Sequence, residues 1–371
     1  MSKGRLHIDY DHQIFAMQKF GGISRYVFEL ARRVAHADGF SASIIAPLHV
    51  NAYLCDGGAH VRGIRVPQMA RSGSAIKALS AELSSVRYLF AARPDIVHET
   101  YYSARRIAPR GCPTVVTVHD MIHEKFPQYF HADDQTSARK RKAIARADHV
   151  ICVSHSTRRD LLALCDVAPE KTSVVHHGVG IAVANTLSAS VTGSRPYILY
   201  VGERGGYKNF TALLTAYASS TELRRSVALF AFGGGGFQPH EKELIRRLSL
   251  DDTAVRQVSG GDDVLASLYR HAVMLVYPSL YEGFGIPLLE AMSLDCPVVC
   301  GDKSSIPEVV GDAALVCDSS DIDALRTSMD IVARSADTRE GLISRGRSRI
   351  QLFAWERCAA ETMEVYKTVA Q

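Results

Sequence analysis

Tyr281-Glu282-Gly283-Phe284-Gly285-Ile286-Pro287-Leu288-Leu289-Glu290-Ala291-Met292 sets two carboxylates, eight residues apart, on either side of a glycine turn and a helix start. Upstream, Val273-Met274-Leu275-Val276-Tyr277-Pro278 reads as a buried strand, and Pro287 suits a first helical turn, where a missing N–H costs nothing. Glu282 then falls in the loop at the C-terminal end of a strand, and Glu290 about one turn into the following helix. The backbone N–H groups of Gly285, Ile286 and Leu288 would be free at a positive helix end, a natural seat for phosphate. A hydroxyl-rich ligand carrying phosphate fits such a place.

These twelve residues resemble the E-x7-E signature of the family 4 retaining glycosyltransferases, with its E-G-F-G-x-P-x-x-E-A-M core. The resemblance implies the α/β fold called GT-B, two doubly wound Rossmann-like domains facing across a cleft. It also implies that Glu282, Gly283, Phe284, Gly285, Ile286 and Glu290 hold the sugar donor.

Composition is that of an ordinary globular protein. With 371 residues, two or three domains are expected, and 47% apolar residues suffice for their cores. A net charge of +4 is too mild to argue for nucleic acid. The eight cysteines include no C-x-x-C pair, and several lie in apolar runs such as Ile151-Cys152-Val153, so they read as reduced thiols of a cytosolic protein. No apolar run approaches the roughly 18 residues that span a bilayer, and no apolar leader region is seen, so a cytoplasmic location is expected. Arg139-Lys140-Arg141-Lys142 and Arg146, on a helix expected from Asp134 to Ala147, read either as a solvated face or as a patch for the anionic inner face of a membrane.

Short β-branched runs alternate with amphipathic stretches throughout: 114–118, 149–153, 173–175, 197–201, 227–231, 273–277, 297–300 and 313–317. Such alternation argues for parallel sheets covered by helices on both faces. Residues 181–195 lose periodicity and fill with small polar residues, as an interdomain linker would. Domains are therefore expected over 1–180 (acceptor side) and 196–352 (nucleotide-sugar side). The resemblance implies that the helical tail 353–371 crosses back onto the first.

After the strand ending at Val201 comes Gly202-Glu203-Arg204-Gly205-Gly206-Tyr207-Lys208-Asn209-Phe210. Lys208, at a strand end near a helix start, is placed as a point charge for a diphosphate, with Arg204 as a candidate second cation. A Walker A loop is excluded by Tyr207 and Asn209 at its second glycine and hydroxyl positions. The family usually carries Arg directly before this Lys, where Tyr207 stands here. Lys19-Phe20-Gly21-Gly22-Ile23-Ser24-Arg25-Tyr26 precedes an amphipathic helix, and the resemblance assigns Gly21 and Gly22 to the donor phosphate. Gly233-Gly234-Gly235-Gly236-Phe237-Gln238 breaks G-x-G-x-x-G at Gln238, so a dehydrogenase is not indicated; the run is expected to lie close to the nucleotide. Asp9-Tyr10-Asp11 and Asp321-Ile322-Asp323 match the metal-holding D-x-D string, but Asp321 reads as a helix cap, and no metal or other cofactor is expected.

His119, in Val118-His119-Asp120, ends a buried strand, and the resemblance has it hydrogen-bond the transferred sugar. His98 ends a neighbouring strand and, with Tyr101, is expected to approach the acceptor. No tetrahedral metal set and no Ser-His-Asp set is legible from spacing. Y-D-H-Q-I-F, G-G-I-S-R-Y and H-D-M-I-H-E-x-F-P together resemble mannosyltransferases of bacterial O-antigen and exopolysaccharide assembly. The expectation is a retaining hexosyltransferase using GDP-mannose, or else a GDP-deoxyhexose or UDP-sugar, on a saccharide or lipid-linked saccharide acceptor. Lys208, Arg204, Glu282 and His119 are its expected catalytic groups. A catalytically silent scaffold and a phosphorylase of the same fold are the alternatives.

Overall fold

A computed structural model describes residues 5–56, 58–67, 73–90, 93–180 and 195–371. All of the expected linker except Arg195 lies outside them. Contacts divide the chain into two compact units, one running to Gly178 and taking back Trp355–Gln371, the other Val179–Ala354.

The strands of the first unit are β1 (Leu6–Tyr10), β2 (Phe40–His49), β3 (Val61–Arg65), β4 (Ile96–Glu99), β5 (Thr114–Val118), β6 (His149–Cys152) and β7 (Thr172–Val174). Those of the second are β8 (Tyr197–Val201), β9 (Ala228–Phe232), β10 (Val255–Val258), β11 (Met274–Tyr277), β12 (Val298–Gly301) and β13 (Leu315–Cys317). Every pairing is parallel, in the orders β3-β2-β1-β4-β5-β6-β7 and β10-β9-β8-β11-β12-β13. Strands such as Thr114–Val118 and Tyr197–Val201 are buried along their whole length, as a parallel sheet covered on both faces requires. In each unit the strand order reverses beside the first strand, so the loops leaving β1 and β4, and those leaving β8 and β11, diverge at a switch point where such sheets bind ligands.

Three strands escaped the sequence reading. β2 contains Pro47, and its pairing with β3 shifts register between Ile45 and Leu48; β3 is an exposed edge, and β10 (Val-Arg-Gln-Val) is half polar. In β2 the proline interrupts the run Ile44-Ile45-Ala46, and β3 and β10 present no continuous apolar run.

The basic helix spans Thr136–Arg146, and its charges do not form one solvated face. Lys140 is fully buried, donating to Glu124 Oε2 at 2.8 Å and to the Asp120 carbonyl at 2.9 Å. Arg146 forks onto Glu99 at 2.5 and 3.1 Å. Only Arg139, Arg141 and Lys142 are left facing solvent, so the patch expected for a membrane is reduced.

The C-terminal helix Trp355–Val369 completes the first unit's core, burying Trp355, Cys358, Ala359, Thr362, Val365 and Tyr366. Tyr366 Oη lies 2.6 Å from His98 Nδ1 and 2.9 Å from Tyr10 Oη, while His98 Nε2 meets Thr117 Oγ1 at 2.8 Å. Both ring nitrogens of His98 are thus engaged inside the core, and no exposed ring atom is left for an acceptor.

Burial holds the His98 pKa down at about 4, below its ordinary 6.5. The unfolded chain therefore takes up this proton first, so the network's full stability is present above pH ~6.5 and is lost as pH falls toward about 4. Tyr366→Phe, which removes the hydroxyl joining His98 to Tyr10, is expected to cost about 1–3 kcal/mol in urea denaturation at pH 7.5. Wild-type thermal stability should fall between pH 6.5 and 4.5; a flat profile there, or an unchanged urea midpoint in the variant, would remove this network from the account of stability.

Candidate functional site

In the second unit the chain leaves β8 through a 3₁₀ turn, Gly206–Lys208, and then Asn209 in the left-handed region at φ 57°. Asn209 Nδ2 donates to the carbonyls of Pro278 (3.2 Å) and Ser319 (2.7 Å), and the Leu280 amide donates to the Tyr207 carbonyl at 2.8 Å. These bonds stitch the loop after β8 to the loops after β11 and β13. The consequence is a direct ion pair: Lys208 Nζ lies 2.7 and 3.0 Å from the two carboxylate oxygens of Glu282. Both side chains are largely buried, and the ammonium also sits 5.4 and 5.7 Å from the ring centres of Tyr207 and Tyr277. Burial first, and the neighbouring Glu282 charge second, push the Tyr277 phenol well above its ordinary pKa, so it stays neutral.

Glu282 is positioned from behind by two serines that the sequence reading missed. Its amide donates to Ser304 Oγ at 2.7 Å, and Ser305 Oγ lies 2.9 Å from the carbonyls of both Glu282 and Phe284. Gly285 then caps the helix Ile286–Ser293 at φ 107°, where a Cβ would come within 2.9 Å of Leu288 Cδ1; only glycine fits. The Leu288 amide donates to the Gly285 carbonyl at 3.1 Å, so it is not open to a phosphate as expected. Glu290 is buried on this helix and accepts from Tyr269 Oη at 3.2 Å.

Arg204 does something other than its sequence position suggested. Its Nε donates to Glu241 Oε1 at 2.8 Å, Nη1 to the Gly233 carbonyl at 2.7 Å, and Nη2 reaches the carbonyls of Gly234, Gly235 and Gly236 at 3.2, 2.9 and 3.0 Å. Gly233, Gly234 and Gly235 have φ of 87°, 64° and 66°, a run open only to glycine, which turns successive carbonyls onto one guanidinium. Arg204 is therefore a buried clamp, and the glycine run wraps it. Lys208 remains the cation of the loop.

In the first unit, His119 is buried at the C-terminal end of β5, stacked on His177 at 5.8 Å and met edge-on by Tyr26 at 5.5 Å. Burial pushes its pKa down to about 3, so the ring is neutral at ordinary pH. Its backbone amide donates to Tyr102 Oη at 3.2 Å, and its Nε2 has no protein partner. Gln13 Oε1, beyond the end of β1, is likewise buried without a protein partner, and neither ring nitrogen of the neighbouring buried His12 meets a side chain. Buried polar atoms are rarely left so, and these point to a ligand at the end of the sheet. His12 and Gln13 belong to the Y-D-H-Q-I-F segment, and nothing in their spacing singles them out. Tyr101, half-buried, packs against Tyr102 with ring centres 4.5 Å apart.

Gly21 caps the helix Gly22–His36, with the Gln18 side chain folded over it. Gln18 Oε1 accepts from the Ser24 amide at 3.3 Å, one turn-end N–H beyond the Gly21 and Gly22 amides expected to meet phosphate. Asp11 is consumed locally, its Oδ1 accepting from Thr100 Oγ1 at 2.6 Å and its Oδ2 from Gln13 Nε2 at 2.7 Å. Asp321 caps the helix Ile322–Arg334, accepting from the Asp323 and Ala324 amides at 2.9 and 3.1 Å.

Comparison with known proteins finds two adjoining family matches: Glycosyltransferase Family 4 over residues 20–182 and Glycosyl transferases group 1 over residues 188–349. Over 178 residues the chain is 38% identical to the O-antigen chain mannosyltransferase B of Escherichia coli, a match that covers 46% of this chain and only 45% of that protein. It is 28% identical over 302 residues to the MMP alpha-(1->4)-mannosyltransferase of Mycolicibacterium hassiacum, covering 74% of this chain and 70% of the relative. Among solved structures, Anabaena HepE in complex with UDP and glucose superposes with a TM-score of 0.73 at 17% identity, over 98% of this chain and 100% of that one. That likeness is one of fold.

The two cations of the β8 loop are expected to separate in mutagenesis. Arg204→Met leaves Glu241 as an uncompensated buried charge and should destabilise the second unit by about 3–5 kcal/mol. Lys208→Met, at a less enclosed pair, should cost markedly less stability. Chemical denaturation of both variants tests this, and equal losses would mean that Lys208 is as structural as Arg204.

Proposed function

The chain belongs to the family 4 glycosyltransferases, and from that membership we propose that it transfers a hexose with retention of configuration, mannose from GDP-mannose being the preferred donor. Support for mannose comes from the two mannosyltransferase relatives, and the O-antigen relative favours a saccharide of cell-surface polysaccharide assembly as the acceptor class. A UDP-sugar is the second reading, because HepE, of the same fold, was crystallised with UDP and glucose.

The observation that carries the proposal is the Lys208–Glu282 pair at the β8/β11 switch point. As the bond to the sugar breaks, negative charge builds on the departing diphosphate, and fixed donors aimed there lower the barrier most. In this reading the diphosphate draws Lys208 away from Glu282, and the released carboxylate turns to the sugar hydroxyls. Each partner thus keeps the other neutralised until the donor arrives. In the second unit Glu290 accepts from the ribose and the helix end at Gly285 assists at the phosphates. The acceptor proton passes to a leaving-phosphate oxygen. No divalent metal is needed in this scheme, since Lys208 and the backbone amides meet the charge, and the aspartates Asp11 and Asp321 are committed to loop and cap bonds. The intact Lys208, Glu282 and Glu290 speak against a silent scaffold.

Transfer should survive chelation: complete loss in EDTA, restored by manganese or magnesium, would reverse the metal-free assignment. Lys208→Ala is expected to lower turnover by two or more orders of magnitude, since a lost donor to a developing charge costs roughly 3 kcal/mol. Glu282→Gln frees Lys208 and should bind GDP at least as tightly as wild type while transferring poorly. Glu290→Gln should weaken nucleotide binding by about 1–2 kcal/mol. Calorimetry with GDP and UDP, beside transfer assays over a panel of nucleotide sugars, reads all three; equal loss of nucleotide binding in both glutamate variants would end the proposed division of labour.

A further inference from the structure

The helix Gly73–Phe90 of the first unit is built inside out. Its inward positions carry hydroxyls: Ser80 and Ser84 are buried, with the Leu48 amide donating to Ser80 Oγ at 3.2 Å and Ser84 Oγ to the Ser80 carbonyl at 2.8 Å. Tyr88 packs with Val97, Ile107, Ala108 and Cys112. Apart from Glu82, its exposed positions among the described residues are apolar. Leu79, Leu83, Val86 and Phe90 are 53, 41, 50 and 86% exposed, and their spacing of four, three and four residues puts them on a single stripe. Of the twelve large apolar side chains exposed among the described residues, four stand on this one line, which is a patch and not scatter.

The surroundings are basic. Arg87 lies on the same helix and exposed Arg93 soon after it; the loop packed against Tyr88 through Ile107 and Ala108 carries exposed Arg105, Arg106 and Arg110. Glu82 and Arg105 pair with each other and cancel, and Asp95 accepts from the neutral His7 amide at 2.7 Å, so the patch is carried by the excess of Arg87, Arg93, Arg106 and Arg110 over that one acid. We infer that this stripe seats the protein on an anionic lipid bilayer, with the leucines, valine and phenylalanine at the headgroup–acyl boundary and the arginines among the lipid phosphates. A two-fold contact with a second copy would set the same arginines against one another, which disfavours that occupant. The inference does not rest on the transfer reaction. It moves the expected lipid contact from Thr136–Arg146, where Lys140 and Arg146 are internally paired, to Gly73–Phe90.

The test is flotation of the full chain with vesicles of phosphatidylcholine alone and of phosphatidylcholine with phosphatidylglycerol, at low and high salt. Binding is expected only to the anionic vesicles and should weaken with salt. Leu83→Asp/Phe90→Asp should reduce it at least about tenfold with an unchanged thermal melt, since both side chains are exposed. Arg93→Ser/Arg110→Ser should weaken binding and blunt its salt dependence, whereas Arg139→Ser/Lys142→Ser should leave it unaltered. Flotation of the Leu83→Asp/Phe90→Asp variant at the wild-type level would overturn the inference. So would a wild type that ignores vesicles but forms a concentration-dependent dimer lost in that variant, which would give the stripe to a second copy.

Discussion

A parallel sheet whose strand order reverses beside its first strand has one place where two strand ends feed loops in opposite directions, and in both units a cluster of bonded polar side chains stands there. In the second unit the constraint is met by stitching: Asn209 reaches the carbonyls after β11 and β13, Leu280 donates to Tyr207, and Lys208 is carried onto Glu282. In the first, Asp11 binds Thr100 across the ends of β1 and β4, leaving His12 and Gln13 with buried polar atoms that no side chain answers. The same topological gap is closed by a cation–carboxylate pair in one unit and by a carboxylate hydrogen-bonded to uncharged donors in the other.

Burial sorts the cations into different uses. Lys140 and Arg204 lie deep and spend their N–H groups on a carboxylate and on backbone carbonyls, and Arg146 does the same from a less enclosed site. Such groups add little net stability but are costly to leave half-paired, so they act as anchors that hold loops in one arrangement. Lys208 differs in donating to the Glu282 carboxylate without a backbone carbonyl beside it, and in being less enclosed than Lys140 or Arg204. The histidines follow the same rule in neutral form. Burial depresses His98 and His119 alike, but His98 has both nitrogens answered within the core, and His119 has one that is not.

Much of this was legible in the residues. Continuous β-branched runs between amphipathic stretches dictated two parallel sheets, because a strand buried on both faces has no polar side to show. The order strand, Glu282, glycine turn, proline, Glu290 dictated a strand-end loop and a capped helix, because those steps rest on backbone sterics acting over a few residues. The quiet strands β2, β3 and β10 were lost because a kink, an exposed edge and polar composition each erase the apolar signal. What only the tertiary structure decided was partnership. Lys208 and Glu282 stand 74 residues apart, Arg204 and Glu241 37, Tyr366 and His98 268. A cation's sequence neighbourhood says that it sits at a strand end, but whether it is spent on a buried clamp or held ready beside a carboxylate depends on which distant loop the sheet brings against it, and on how much water is excluded there.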